Sequence, residues 1–388
     1  MKKNILFVDD EAGVLDGLRR ILRTMRSEWE VEFAGSGRQA LEIIAKKPFD
    51  VLVTDIRMPG MDGRRLLENV KLLHPEVVRI ILTGSFEKDS ILGSAGLAHQ
   101  FLSKPCDADT LKATVARACA MRELLEDERL IKMVSGIGSL PSLPSLYKDV
   151  MEEVNSEEGS LEKIASLISR DAGMSAKLLQ LVNSAFFGLP AKAGSIHRAV
   201  NLLGIETIKA LILSVNIFSQ FDRPGLASVS DLWDHCFQTG MIAKKIATRE
   251  NPGQEIIDEA FTAGLLHDVG KLILLDKCPE KFSEASALSS AADLPGWEAE
   301  QRVLGATHAQ VGGYLMGIWG LSSSLVEAIA FHHCPAKSSN NSFCSLTLVH
   351  LADCAQHRAR GEHNKGRLDI EYLNKLGVSD KLCENPEI

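Results

Sequence analysis

The stretch GLLHDVGKL, residues 264–272, sets an adjacent His267–Asp268 pair inside an apolar run, with Lys271 three residues on from Asp268. An imidazole beside a carboxylate is a natural pair of ligands for a divalent cation. Further residues of the same types follow the pattern: His235 in LWDHCF, His308 in GATHAQVG, the adjacent His332 and His333 in AFHHCP, and Asp353 in VHLADCA. Eight of the 11 histidines fall after residue 230, which places this chemistry in the last third of the chain. Ligands spaced so widely, each on its own helix, can converge in a helix bundle as a one- or two-metal site. A two-metal site would activate a water and clamp a phosphate ester, and Lys271, one turn after His267, could hold a phosphate oxygen. The plainer reading is a set of core histidines, each hydrogen-bonded, with Asp268 paired to Lys271 at helical spacing.

A second constellation is acidic and lies near the N-terminus. Short apolar runs at 4–8, 30–34, 51–55, 77–82 and 99–104 alternate with helix-type patterns such as Leu15, Leu18, Ile21 and Leu22. This alternation predicts an α/β doubly wound domain around a five-stranded parallel sheet. Ligands of such sheets bind beyond the carboxyl ends of the strands. Asp9 and Asp10 follow the first strand, Asp55 the third, Thr83 the fourth and Lys104 the fifth. Three converging carboxylates repel one another, and a hard cation such as Mg²⁺ relieves that. A lysine and a hydroxyl beside them could receive a phosphoryl group. Read singly, these residues are helix caps and solvated loop positions; together, at matching strand ends, they read as a site.

The motifs VDDE, TDIRMPGMDG, LTGS and FLSKP resemble those of two-component receiver domains over residues 1 to about 120. The resemblance implies Asp55 as phosphoacceptor, with Asp9, Asp10, Asp55 and the backbone carbonyl of Arg57 around Mg²⁺. It implies Thr83 and Lys104 on the phosphoryl oxygens, and Phe101 at the aromatic switch position, where relatives often carry Tyr.

Residues 107–134 carry a helical stripe of Leu111, Val115, Ala118, Met121 and Leu125. It reads either as a solvated linker or as a signalling helix that pairs with its copy in a homodimer, and should end near Gly136. From about residue 140 the pattern is helical almost throughout, which predicts an all-α domain of ten or more helices. The stretch 222–230, DRPGLASVS, is read as a break between two lobes. The expected organisation is a receiver at 1–120, a helical linker at 121–136, and an all-α HD-type domain at 137–388. The last would comprise a lobe of about 137–225, an HD-like lobe of about 226–360, and a tail.

His235, His267–Asp268 and Asp353 match the order of the HD superfamily of metal-dependent phosphohydrolases, and HDVGK is similar to the version in cyclic-dinucleotide phosphodiesterases. No Gly-Tyr-Pro triplet follows the paired histidines, where HHCPAKSSNNS stands. LPSLPSLYKDV, ISRDAGMSAKLLQLVNSAFFG, IHRAVNLLG, LLHDVGKL and IAFHHCP are more similar to the HDOD family, the HD-related output domain, over about 137–360. Asp-Ala stands at 171–172 where that family usually has Asp-Pro. The resemblance implies a response regulator whose phosphorylation by a sensor histidine kinase controls a signalling and interaction output with a downstream protein partner. The alternative is a phosphorylation-gated metal-dependent phosphohydrolase, like a cyclic-dinucleotide phosphodiesterase, using Mn, Fe or Mg. The missing triplet favours the first reading and the intact ligand set the second. If metal binds in this pocket, the expectation is weak binding without useful turnover.

The formal net charge of −8 and the absence of a long basic run argue against direct nucleic-acid binding. Eight cysteines without a CxxC pair, and no apolar run approaching 18 residues, predict a cytoplasmic chain with reduced thiols and no membrane segment.

Overall fold

The computed structural model describes residues 2–84, 94, 96–142, 144–156, 159–183, 192–214, 219–220, 226–361 and 367–378. The first domain is built on β1 (Lys3–Val8), β2 (Trp29–Ala34), β3 (Val51–Asp55), β4 (Val78–Gly84) and β5 (Gln100–Lys104). All four pairings are parallel, in the order β2-β1-β3-β4-β5. Parallel strands covered on both faces read as continuous apolar runs, and Val51, Leu52 and Val53 are fully buried. Helices α1 (Ala12–Ile21), α2 (Gly37–Ile44), α3 (Gly63–Leu73) and α4 (Ala108–Met121) flank the sheet. Pairing of Val8 with Thr54 and of Asp55 with Leu82 brings the carboxyl ends of β1, β3 and β4 level.

The connector is two helices, not the single run expected from its stripe. Helix α4 ends at Met121, Leu125 is extended (φ −127°, ψ 126°), and α5 (Glu128–Ser135) starts afresh with Asp127 accepting from the Arg129 amide. Leu125 is buried here, so the stripe bends to follow the core. Leu111, Val115, Ala118 and Leu125 all pack within the chain's own core, which leaves little of the stripe for a partner copy.

The second domain comprises α6 (Pro144–Asn155), α7 (Leu161–Ile168), α8 (Ala172–Val182), α9 (Ile196–Ser214), α10 (Leu226–Glu250), α11 (Gln254–Leu266) and α12 (Val269–Lys277). It continues through α13 (Pro279–Ala292), α14 (Gly296–Leu304), α15 (His308–Ile318), α16 (Ser323–Phe331), α17 (Ser345–Ala359) and α18 (Ile370–Lys375). A two-residue parallel pair, β6 (Pro141–Ser142) with β7 (Ser219–Gln220), is its one departure from all-α structure among the described residues. The Asp-Ala variation is harmless to the helix start, because Asp171 still caps α8 by accepting from the Met174 amide at 2.9 Å. The expected lobe break is corrected in part: 221–225 lie outside the described residues, and 226–230 already belong to α10. Of the NSAFFG motif, residues 184–188 also lie outside them.

One apolar core runs from the first sheet through α4 and α5 into the helical domain. Arg79, at the start of β4, is 1% exposed and anchors this seam. Its guanidinium donates to the carbonyls of Pro75, Val77 and Leu97 in its own domain and to Ser135 of α5. Gln180 of α8 donates to the His99 carbonyl at 3.0 Å, and Gln100 donates to the Ile318 carbonyl at 2.9 Å.

Lys177 lies in the same region, buried, with its ammonium 2.7 Å from the Gly138 carbonyl and 5.1 Å from the Trp319 ring centroid. Burial, with Lys71 nearby, lowers its pKa to about 7. An unfolded lysine titrates near 10.4, so between about pH 7 and 10 the unfolded chain binds the extra proton. This contribution to stability therefore grows as pH rises through that window and is lost as pH falls through the folded value. Denaturant melts of wild type and Lys177→Met at pH 7, 8.5 and 10 should show the difference moving in favour of wild type with pH. A constant difference would contradict the assignment.

Candidate functional site

The acidic trio forms as the strand ends require. Carboxylate oxygens of Asp9, Asp10 and Asp55 lie within 4.8 Å of one another, close enough to hold one cation. Lys104 reaches across at 2.6 Å to both Asp9 and Asp55. Burial alone would lower the Lys104 pKa, but its hydrogen bonds to the two carboxylates raise it. Asp55 Oδ1 accepts from the Ile56 amide at 2.6 Å, and the turn beyond it closes with the Gly63 amide on the Ile56 carbonyl. A Cβ at Gly63 would sit 2.0 Å from the Asp55 carbonyl, so only glycine lets α3 approach here. Thr83 is buried at the end of β4, and Phe101 is 1% exposed, its ring already inward. Residues 85–93 lie outside the described residues.

The second constellation also converges. His235 comes from α10, His267 and Asp268 from the α11–α12 junction, His308 from the first turn of α15, His332 and His333 from the end of α16, and Asp353 from α17. Asp268 is the hinge of the geometry. Its Oδ2 lies 3.4 Å from the Nε2 atoms of both His235 and His267, while its Oδ1 faces His308 at 3.0 Å and His332 at 3.8 Å. Asp353 Oδ1 closes the first group at 3.2 Å from His235 and 3.6 Å from His267. His333 joins the second group, its Nε2 3.0 Å from that of His308. One carboxylate thus addresses two donor sets, and would be shared between them if each held an ion.

The rings are oriented from behind. The Nδ1–H groups of His267 and His332 donate to the Gly264 and Ile329 carbonyls, and that of His308 donates to Glu300 at 2.7 Å. Such bonds fix the ring and leave Nε2 facing inward. His332 Nε2 is buried without a hydrogen-bond partner, and the buried Oδ1 atoms of Asp268 and Asp353 face only the inward Nε2 atoms of neighbouring histidines. Buried polar atoms are rarely left so, and divalent ions would satisfy them. The donor set therefore fits metal.

The electrostatics divide the histidines: His332 and His333 are held in the neutral, metal-binding form, whereas His267 holds a proton that an ion would have to displace. Burial disfavours charge on Asp268 and Asp353, but the surrounding histidines, with Lys271 at Asp268, hold both well below the carboxylate range. Against the same penalty, Asp268 and Asp353 lift His267 to about 10. Burial keeps His332 and His333 neutral, the form that binds metal. Lys271 Nζ sits 2.6 Å from Asp268 Oδ2, so the plainer pairing read from the sequence is present as well.

Two members were missed in the sequence. Glu300 shows no local motif, and only the fold brings it to His308. His357 stands one helical turn after Asp353 and 3.4 Å from it, so its i, i+4 spacing was a legible signal. His350, by contrast, is structural: its Nδ1–H donates to the His332 carbonyl and its Nε2 accepts from the Asp369 amide.

A phosphoacceptor-type acidic pocket on a doubly wound sheet, fused to a helical output module, defines a response regulator. Residues 140–335 match the HDOD domain and residues 5–116 the response regulator receiver domain, and the chain belongs to the HDOD family with a receiver domain fused in front. An uncharacterized protein from Treponema pallidum is 26% identical over 57% of this chain and 43% of its own length. The transcriptional regulatory protein ZraR of Escherichia coli O157:H7 is 32% identical over 37% of this chain and 32% of its own. The chain thus spans less than half the length of these curated relatives. A crystal structure of the MmoQ response regulator from Methylococcus capsulatus aligns with TM-score 0.48 and 20% identity, covering 64% of this chain and 98% of that one. No described helix is long and apolar enough to cross a membrane.

Metal occupancy is directly testable. Mn²⁺ at about 100 times its dissociation constant should stabilise the chain by roughly 2.7 kcal/mol, and a chelator should reverse this. Asp268→Asn should abolish the part of the shift that survives in Asp55→Asn, because both donor sets lose their shared carboxylate. A residual shift unchanged by Asp268→Asn would place the ion elsewhere.

Proposed function

We propose that Asp55 accepts a phosphoryl group from a sensor histidine kinase, with Mg²⁺ held by Asp9, Asp10, Asp55 and the Arg57 carbonyl, and that this event controls the HDOD output domain. Lys104 and Thr83 then contact the phosphoryl oxygens, and Phe101 reports the change. The output acts by meeting a downstream signalling protein.

One observation carries this reading: α15 runs from the His-Asp cluster to the amino end of β5, the strand that carries Phe101 and ends at Lys104. The first residue of the helix is His308, in the His-Asp cluster, and its last is Ile318, whose carbonyl takes the Gln100 hydrogen bond. Gln100 directly precedes Phe101. Midway, the Tyr314 hydroxyl is 2.6 Å from Ser135 Oγ of α5. A rigid helix of 11 residues, about 16 Å long, links the switch strand to the candidate metal cluster. A shift at β5 is then felt at His308, provided the two states differ in the contacts they make.

The carboxylate that faces both donor sets and the unpartnered His332 Nε2 favour a second reading alongside the first, in which the output pocket holds divalent metal. His235, His267, Asp268 and Asp353 would hold one ion; Asp268, His308, His332 and His333 would hold the other. Bound there, the ions would supply Lewis-acid and water-activating chemistry toward a phosphate ester.

With Mg²⁺ and a small phosphodonor the chain should gain one base-labile phosphoryl group, and Asp55→Asn should gain none; labelling that persists in the variant would sink the assignment. A beryllofluoride phosphoryl mimic should change Mn²⁺ affinity of the output pocket by about fivefold or more, within the usual range of coupling energies. Gln100→Ala should bring that change close to unity while leaving phosphorylation intact. Equal coupling in wild type and variant would exclude α15 as the route.

A further inference from the structure

The His-Asp cluster is sealed on most sides and open on one. Side chains of His235, His267, Asp268, His332 and Asp353 are at most 5% exposed, whereas Lys271 is 23% exposed, His333 13% and His357 12%. These last three line a cavity of about 230 Å³ whose outer wall is the hairpin of α13 and α14. Trp297, in the first turn of α14, also lines it and stacks on His333, with ring centroids 6.0 Å apart and planes at 21°. Anything that reaches the cluster from solvent by this route passes between walls that include Lys271 and Trp297.

The dimensions decide what fits. Sites for drug-sized ligands usually enclose roughly 300–1,000 Å³. At about 230 Å³ this cavity lies below that range and cannot enclose two nucleosides and two phosphates. A single flat ring with one phosphate is commensurate with it. The chemistry is also divided: a floor of Lys271 and three imidazoles, with the Glu300 carboxylate engaged by His308, meets an aromatic wall, which matches an anionic head joined to a stacking tail. Lys271 is placed to serve the head. Its ammonium rests on Asp268 Oδ2 at 2.6 Å, where a metal ligand atom is needed, while the same side chain borders the cavity. A divalent ion arriving at Asp268 would displace the ammonium, and the cavity is the solvent-facing place for it to go.

We propose that this cavity binds a phosphomonoester carrying one flat ring, a 5′-mononucleotide in size and chemistry, with its phosphate toward Lys271 and the metal cluster and its ring against Trp297. The proposal rests on the metal reading above and narrows it: the pocket selects against cyclic dinucleotides. Metal and ligand bind cooperatively, because metal frees Lys271 for the phosphate.

The test uses the full chain, chelator-treated or Mn²⁺-loaded, titrated with 5′-AMP, inorganic phosphate and cyclic di-AMP by calorimetry and tryptophan fluorescence, with metal content measured separately. The Mn²⁺-loaded protein should bind 5′-AMP about tenfold or more tightly than the chelated one, a coupling within the range seen between linked sites. Trp297→Ala should weaken 5′-AMP about tenfold, in line with base–aromatic stacking, and change phosphate affinity less than about twofold. Lys271→Gln should weaken both together. Trp297→Phe, which keeps a ring, should retain most of the 5′-AMP affinity and guards against loss of folding in the alanine variant. Cyclic di-AMP binding as tightly as 5′-AMP, or Trp297→Ala without effect, would overturn the proposal. Metal uptake without 5′-AMP binding would sink this proposal alone; 5′-AMP binding without metal uptake would sink the metal reading and the cooperativity but keep the pocket.

Discussion

The close packing of α15 is the constraint on which the molecule depends. Three glycines occupy its interior, at a cost of about 1 kcal/mol each relative to alanine. The geometry explains why they are there. A Cβ at Gly312 would press on Val269, the Gly270 amide and Ile329; one at Gly313 would lie 2.6 Å from Ala330 Cβ; one at Gly317 would lie 2.1 Å from Met121 Sδ. Three helices, α12 and α16 of the same domain and α4 of the first, therefore approach one rod closely. Gly270, from the HDVGK motif, makes the reciprocal approach: its own Cβ would fall 1.9 Å from the His308 carbonyl. The glycine of that motif thus sets the separation of Asp268 from His308, and so the size of the cluster between them.

Both sites solve the same electrostatic problem in the same way. Each gathers carboxylates closer than they tolerate alone, and each lays a lysine across them: Lys104 on Asp9 and Asp55, Lys271 on Asp268. A flexible ammonium neutralises the group when no harder cation is present and can withdraw when one arrives. In the receiver the carboxylates are graded: Asp9 is buried, Asp55 half-buried and Asp10 exposed. In the HDOD domain they are buried, so the histidines must share the compensation, and their orientation is fixed by Gly264, Ile329 and Glu300 behind them.

The receiver was legible almost residue by residue, because parallel strands write themselves as apolar runs and place their ligands at a known end. The His-Asp cluster was legible by residue type and order, since few other reasons set seven such groups at five separate places in a helical fold. What stayed hidden has physical causes. The bend at Leu125 keeps the helical period on both sides, so the pattern alone reads as one helix. Glu300 reaches His308 across the turn between two helices, and Trp297 acts on His333, distant in sequence. The route of contact between the domains, through Gln100 and Ile318, involves a side-chain amide and a backbone carbonyl, and neither announces itself in a sequence.

Arg79 has a consequence for how this protein can be rebuilt. Receiver domains invite exchange, since the sheet and acidic pocket are self-contained. Here, however, a buried guanidinium is satisfied by carbonyls from both sides of the seam, and Gln180 reaches back to the His99 carbonyl. A foreign receiver lacking both Arg79 and His99 would leave the Ser135 carbonyl unmet, and this arginine without the α5 backbone beside it would bury an unmet donor. The two halves are matched parts, and a working chimera would have to carry the seam across with the domain.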